Sequence, residues 1–271
     1  MTSIATNVAA VRVQYHGKKN IKVETEAFTR LSSGMRITNA SDDAAGLFIA
    51  GRMKAQISGL ERAVQNSADG VSLVNTAEAN LNEIRNMTLR MREIAVQMAN
   101  GVYTNPDRGL AQIEIDQLLQ QIDLIAANAN FNGVALLDGT MQNVGIQTGP
   151  TANERPSIFF KDSSSSGLGI NTVDVSSQAN AKTAMVTLET ALTSISDELS
   201  RAGAYENRFS HTISVLEQTT KATKISRGRI MDADIAEEST KLSKAQVLSQ
   251  ANTAMLAQAN QSMSKLLSLF N

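Results

Sequence analysis

Two histidines, His16 and His211, are the only imidazoles in this 271-residue chain, and neither has a ligand or triad partner at a recognised spacing. Carboxylates group at Asp42–Asp43 and at Asp232, Asp234, Glu237 and Glu238. Such groups could hold a metal ion or exchange protons. Both also stand where apolar helical periodicity begins, and negative charge there complements the helix dipole, which is the simpler account. The chain has no H-E-x-x-H, no G-x-x-x-x-G-K phosphate loop and no dinucleotide fingerprint. With no cysteine, disulfides, thiolate chemistry and sulfur-ligated metals are excluded. The doublets Lys18–Lys19 and Arg90/Arg92 lack aromatic stacking partners, and a net charge of −1 gives no basic face for nucleic acid. No catalytic residue, metal site or cofactor is expected, and the chain does not read as an enzyme.

The elements that would position such residues are long helices. Seven Phe, three Tyr and no Trp leave few large anchors, while small and amide side chains and eleven Met are abundant. That composition favours helices packed closely over wide, shallow interfaces. From Leu60 the apolar positions run Val64, Ser67, Val71, Val74, Ala77, Leu81, Ile84, Thr88, Met91, Ile94 and Met98. The mean step is near the coiled-coil repeat of about 3.5, with Ser67 and Thr88 as imperfect members. A helix from Ala44 to Ala99 would be roughly 80 Å long. Asn100–Gly101 and Asn105–Pro106–Asp107 mark a break and restart, so a second helix over Arg108–Ala127 makes an antiparallel hairpin with the first.

Beyond Asn128 the pattern changes. Phe131–Asn132–Gly133 and Asp138–Gly139 are turn chemistry, with strand candidates at Val144–Gln147 and Ser157–Phe160. Ser163, Ser164, Ser165 and Ser166 lie in what reads as an exposed low-complexity loop. Helix resumes near Ser177, runs to about Ile225, and breaks at Arg227–Gly228–Arg229 before a terminal helix. Gly203 is expected to mark tight packing or an irregularity.

Both ends read as assembly arms. From Leu248 to Asn271 a stripe of Leu248, Ala251, Met255, Ala259, Met263, Leu266 and Phe270 opposes a face of Gln, Asn, Ser and Thr with a single charge, Lys265. The first eleven residues match it, with Ile4, Val8 and Val11 on one stripe. The arms are expected to pair as a coiled coil. The predicted fold is mainly α: a long antiparallel helical hairpin or bundle, a small β-hairpin element, and paired terminal helices. No apolar run approaches the ~18 residues that span a bilayer, and no targeting segment is visible. The chain is expected to be cytoplasmic or exported without a cleaved signal.

Leu31–Ser–Ser–Gly–Met–Arg–Ile37 and Ser41–Asp–Asp–Ala–Ala–Gly46, then Asn66–Ser–Ala–Asp–Gly70, Leu89–Arg–Met–Arg–Glu–Ile–Ala–Val–Gln97, Gly203–Ala–Tyr–Glu–Asn–Arg208 and Met255–Leu–Ala–Gln–Ala–Asn–Gln261 together resemble bacterial flagellin, in the family's order along nearly the whole chain. The resemblance implies a subunit of the flagellar filament. Residues 1–43 and 231–271 would form an inner coiled-coil tube ordered on polymerisation. Residues 44–230 would form an outer helical tube, with a β element at about 131–170 where the family carries variable outer domains. Leu31 and Arg36 join Ile4, Val8, Val11, Leu248, Met255, Leu266 and Phe270 as implied polymerisation residues. Implied partners are other copies of the chain, a secretion chaperone before type III export, and hook-associated junction and cap proteins. Arg90, Glu93, Ile94 and Glu114 resemble a surface read by a vertebrate innate immune receptor, and the serine loop suggests a glycan acceptor. Two features depart from the family: Leu199 replaces an arginine, and His16–Glu24 is unusually charged. The alternative functions are a hook–filament junction protein, or a coiled-coil signalling module outside the flagellum. The implied location is the extracellular filament, without membrane insertion or nucleic acid.

Overall fold

Residues 6–141 and 143–267 are described by a computed structural model in which five helices carry most of the chain. These are α1 (Val8–Ser33), α2 (Ala44–Met98), α3 (Asn105–Asn128), α4 (Gln178–Met231) and α5 (Ile235–Leu267). Four two-residue strands lie between α3 and α4: β1 (Asn130–Phe131), β2 (Val134–Ala135), β3 (Val144–Gly145) and β4 (Ser157–Ile158). The mainly helical fold expected from the sequence is the fold observed. None of the described helices is long and apolar enough to cross a membrane. The chain divides into two compact units, residues 1–55 with 222–271, and residues 56–221.

In the unit of residues 56–221, α2 runs antiparallel to both α3 and α4. Arg90 of α2 meets Glu114 of α3 at 2.9 Å, and Arg92 meets Glu189 of α4 at 2.8 Å. The stripe read from the sequence is the buried one: Leu81, Ile84 and Met91 face Ile115 and Ile122 of α3 and Leu188 and Ile195 of α4. Ser67 and Thr88 are buried as well, because each hydroxyl donates to the carbonyl four residues earlier, at 2.8 Å in both cases. The same device recurs on the exposed side of α4, where Thr183, Thr187, Thr190, Thr193, Ser194 and Ser196 each bond one turn back.

Each helix start has a specific cap. A capping box closes between Thr104 and Asp107 at the head of α3, with Pro106 in the first turn. Arg108, almost fully buried, seals the end of α2: Nε donates to the Met98 carbonyl at 2.9 Å and Nη2 to that of Asn100 at 3.0 Å. Asp43 Oδ1 accepts from the Gly46 amide at 2.8 Å at the start of α2, and Asp234 Oδ1 from those of Ala236 and Glu237 at the start of α5. Of the acidic groups at 42–43 and 232–238, Asp43 and Asp234 act as helix starts, while Asp42 Oδ2 accepts from the Thr38 and Asn39 amides in the preceding turn. Among the described residues no group of three or more His, Asp or Glu is placed to hold a metal ion.

Three expectations change. The β region is two antiparallel pairs, β1 with β2 and β3 with β4, where a single hairpin was expected. Asn132 and Gly133, both at positive φ, make the two-residue turn of the first pair. No break occurs at Arg227–Gly228–Arg229: α4 continues to Met231, where a β-carbon on Gly228 would lie 2.7 Å from Asp232 Oδ2. Glycine there serves a close approach and does not end the helix. Gly203 lies inside unbroken α4 with nothing within 4 Å of its missing side chain, so it marks neither tight packing nor an irregularity.

Candidate assembly interface

The unit of residues 1–55 and 222–271 is built on an antiparallel pair, α1 with α5. Asn7, which caps α1 by accepting from the Ala10 amide, also donates from Nδ2 to the Ala259 carbonyl at 3.1 Å. At the other end Arg30 Nη1 meets Glu238 Oε1 at 3.4 Å. Between these ends the covered positions are Ala10, Val13, Gly17, Asn20, Glu24, Ala27 and Leu31 on α1, with Leu242, Ala245, Ser249, Asn252, Leu256, Ala259 and Met263 on α5. Both sets alternate steps of three and four, a heptad seam. The seam mixes small residues (Ala10, Gly17, Ala27, Ala245, Ser249 and Ala259) with larger ones such as Leu242, Leu256 and Met263, and other large apolar side chains stay outside it.

The pairing of the two arms is as expected, but the seam on α5 is not the stripe expected. Ala259 and Met263 belong to the seam, whereas Leu248, Ala251 and Met255 face outward, with Leu248 40% and Met255 57% exposed. Residue type does not separate the two faces, since Leu242, Leu256 and Met263 are covered while Leu248 and Met255 are not. Val8 and Val11 are likewise exposed, and Leu31 is half-buried. Arg36 is exposed and donates from Nη2 to the Ile230 carbonyl at 2.7 Å, next to an isolated bridge of Met35 with Asp232. Beneath it Ile37, Ala50 and Met231 form a small core. Ile4, Phe270 and the side chain of Leu266 lie outside the described residues.

Glu238 is the one carboxylate buried in this pair. Desolvation works to raise its pKa, but the bonds and charges of Lys241, at 2.8 Å, and Arg30 outweigh burial and hold it below the usual glutamate value. Lys241 is raised in turn by its hydrogen bonds to Glu238 and Glu237. Sequence reading missed this lock as a pairing element. The available signal was the spacing of Glu238 from Leu242 and Ala245, which places it on the seam.

On the unit of residues 56–221, Arg90, Glu93 and Glu114 form an exposed ion cluster, with Arg90 Nη1 3.3 Å from Glu93 Oε2. The guanidinium pKa is raised, chiefly by the hydrogen bond to Glu114. Ile94 does not share this surface: it is 3% exposed and packs in the core. One turn on from Arg90, it stands at the edge where the exposed face of α2 meets the buried stripe.

The serine loop is not a bare solvated segment. Ser163 and Ser165 are buried, and Asp123 of α3 accepts from the Ser165 amide at 2.7 Å and from its hydroxyl at 2.9 Å. Neither buried serine can accept a glycan while the loop holds this shape. Ser164 Oγ is 2.9 Å from Ser166 Oγ, and Ser166 alone of the four is exposed.

A long-helix protein whose terminal pair leaves large apolar side chains in solvent belongs to a class built for association. Comparison with known proteins gives the family. Residues 4–142 match the bacterial flagellin N-terminal helical region, and residues 185–270 match the bacterial flagellin C-terminal helical region. The flagellar filament core protein flaB2 of Brachyspira hyodysenteriae is 38% identical over 95% of each chain. A flagellin of Halalkalibacterium halodurans is 37% identical over 94% of each. Among solved structures, Bacillus cereus flagellin aligns with a TM-score of 0.52 at 33% identity, covering 56% of this chain and 88% of that one. A putative flagellar hook-associated protein from Vibrio parahaemolyticus, with a TM-score of 0.60, covers 70% of this chain and all of that one, but at 12% identity it shares the fold alone. The chain belongs to the bacterial flagellin family.

Proposed function

We propose that this chain polymerises into the extracellular filament of a bacterial flagellum, as a structural subunit of the helical propeller. One observation carries the reading beyond family membership. The α1–α5 pair closes along one heptad seam and leaves Val8, Val11, Leu248 and Met255 uncovered. Apolar side chains held outward on a narrow rod are suited to contacts with further copies, and repeated heterologous contacts that do not close produce a filament. In this reading residues 1–43 and 231–271 line the inner tube, residues 44–230 the outer one, and the terminal arms order as they polymerise. Ile4, Leu31, Arg36, Leu266 and Phe270 complete the inner contacts.

The same apolar surface needs cover before assembly, which supports a chaperone that holds α5 until export through the flagellar type III apparatus without a cleaved signal. Junction and cap proteins of the hook-associated class would meet the filament's two ends. The exposed cluster of Arg90, Glu93 and Glu114 is the part of the inferred innate-receptor surface that a partner can reach, and Ser166 is the reachable hydroxyl for a glycan.

Electron microscopy of the purified full-length protein at high concentration, with and without short filament seeds, tests the reading. Long helical filaments are expected. Persistent monomers, or caps that stop at the seed ends, would overturn it in favour of a junction protein.

A further inference from the structure

The two flanks of the α1–α5 pair differ in shape. On one, Val13, Gly17 and Ile21 of α1 face Asn252 and Leu256 of α5 across a groove of about 240 Å3. The groove exists because residue 17 has no side chain: a β-carbon there would come no nearer than 4.0 Å to any atom, that atom being Asn252 Nδ2. That nitrogen is buried and has no hydrogen-bond partner among the described residues. On the opposite flank Leu248 and Met255 stand out from α5, two helical turns and about 10 Å apart, with Ala251 between them. Groove and ridge occupy the same turns of α5, residues 249–256 and 248–255.

We infer that Met255 and Leu248 of one copy seat in the Gly17 groove of the next, so that the α1–α5 pair is its own lock and key. The inference rests on the filament reading and names the contact that reading leaves open. A second copy is the occupant because the complementary shape lies on the chain itself, at the same height. A twofold dimer sets ridge against ridge or groove against groove, so in neither case does a ridge fill a groove. Side-by-side repetition fills every groove but the last, and it does not close on two copies. An unbranched thioether adapts to an irregular groove, and its sulfur offers a weak acceptor to Asn252.

The chain has no cysteine, so single cysteines report contacts cleanly. Full-length Ile21→Cys and Met255→Cys are mixed, polymerised and oxidised. A mixed covalent dimer is expected in the filaments, with none in the unpolymerised mixture or in filaments of either variant alone. Filaments without that dimer, or dimers in filaments of Met255→Cys alone, would overturn the contact and leave the filament reading standing. No filaments from the unaltered chain would overturn both. If a cysteine variant does not polymerise, Gly17→Leu decides. Filling the groove is expected to abolish polymerisation with helical content unchanged by circular dichroism, and normal filaments from Gly17→Leu would overturn the contact.

Discussion

At the scale of single residues, two positions hold more than their types suggest. Arg108 is a charged side chain, yet it is buried with three donors engaged on the Met98 and Asn100 carbonyls and on Asn105 Oδ1. Arg108→Ala should strand those carbonyls and cost about 1.5–3 kcal/mol, the range for bonds from a charged donor. A urea titration of the full chain, followed by circular dichroism, measures it; an unchanged midpoint would refute the capping role. Gly46 is needed for space: a β-carbon there would lie 2.8 Å from Ile37 Cδ1 and would also press on the Asp43 carboxylate that caps α2. Gly46→Ala should destabilise the chain by about 1–3 kcal/mol through overpacking, although alanine is the better helix former. A thermal melt that rises would show that propensity wins over the clash.

At the scale of elements, the Arg30–Glu238–Lys241 lock makes the α1–α5 pair sensitive to acid. The Glu238 carboxyl is lowered in the folded chain, so its contribution is complete above the unfolded glutamate pKa of about 4.3 and is lost as pH falls through the folded value. Thermal melts of the full chain from pH 6 to pH 3 should show a fall in stability that Glu238→Gln lessens; an identical pH profile for the variant would remove the lock from the account. The α2 stripe was legible because its buried positions are mostly large and repeat at one pitch, and because Ser67 and Thr88 could be recognised by position despite their type. The α5 seam was harder to read. Its outward Leu248 and Met255 outweigh Ala245 and Ser249 on any scale of apolarity, and only the partner helix reveals which face is closed. The serine loop failed for a similar reason, since Asp123 lies 42 residues from Ser165 and local composition cannot report it. The starts of α3 and α5 are legible in local chemistry, in Asn105–Pro106–Asp107 and in Asp234.

At the scale of the whole molecule, the division at residues 56–221 separates a unit with its own large core from one that is mostly a pair of helices. Removing Leu248–Asn271 should therefore leave a soluble, largely helical monomer that no longer polymerises, as read by circular dichroism and electron microscopy together. Filaments from the truncated chain would sink the role given to the arm. The hydroxyls of α4 from Thr183 to Ser196, each already bound to a carbonyl one turn back, bear on what happens when such a chain is covered by its neighbours. A surface of this kind is polar by composition but asks little of water. Its hydroxyl donors are spent within the helix. Covering it strands few donors and displaces few ions, so contacts made through it should hold from dilute buffer to brine, where a lysine- and glutamate-clad helix would loosen.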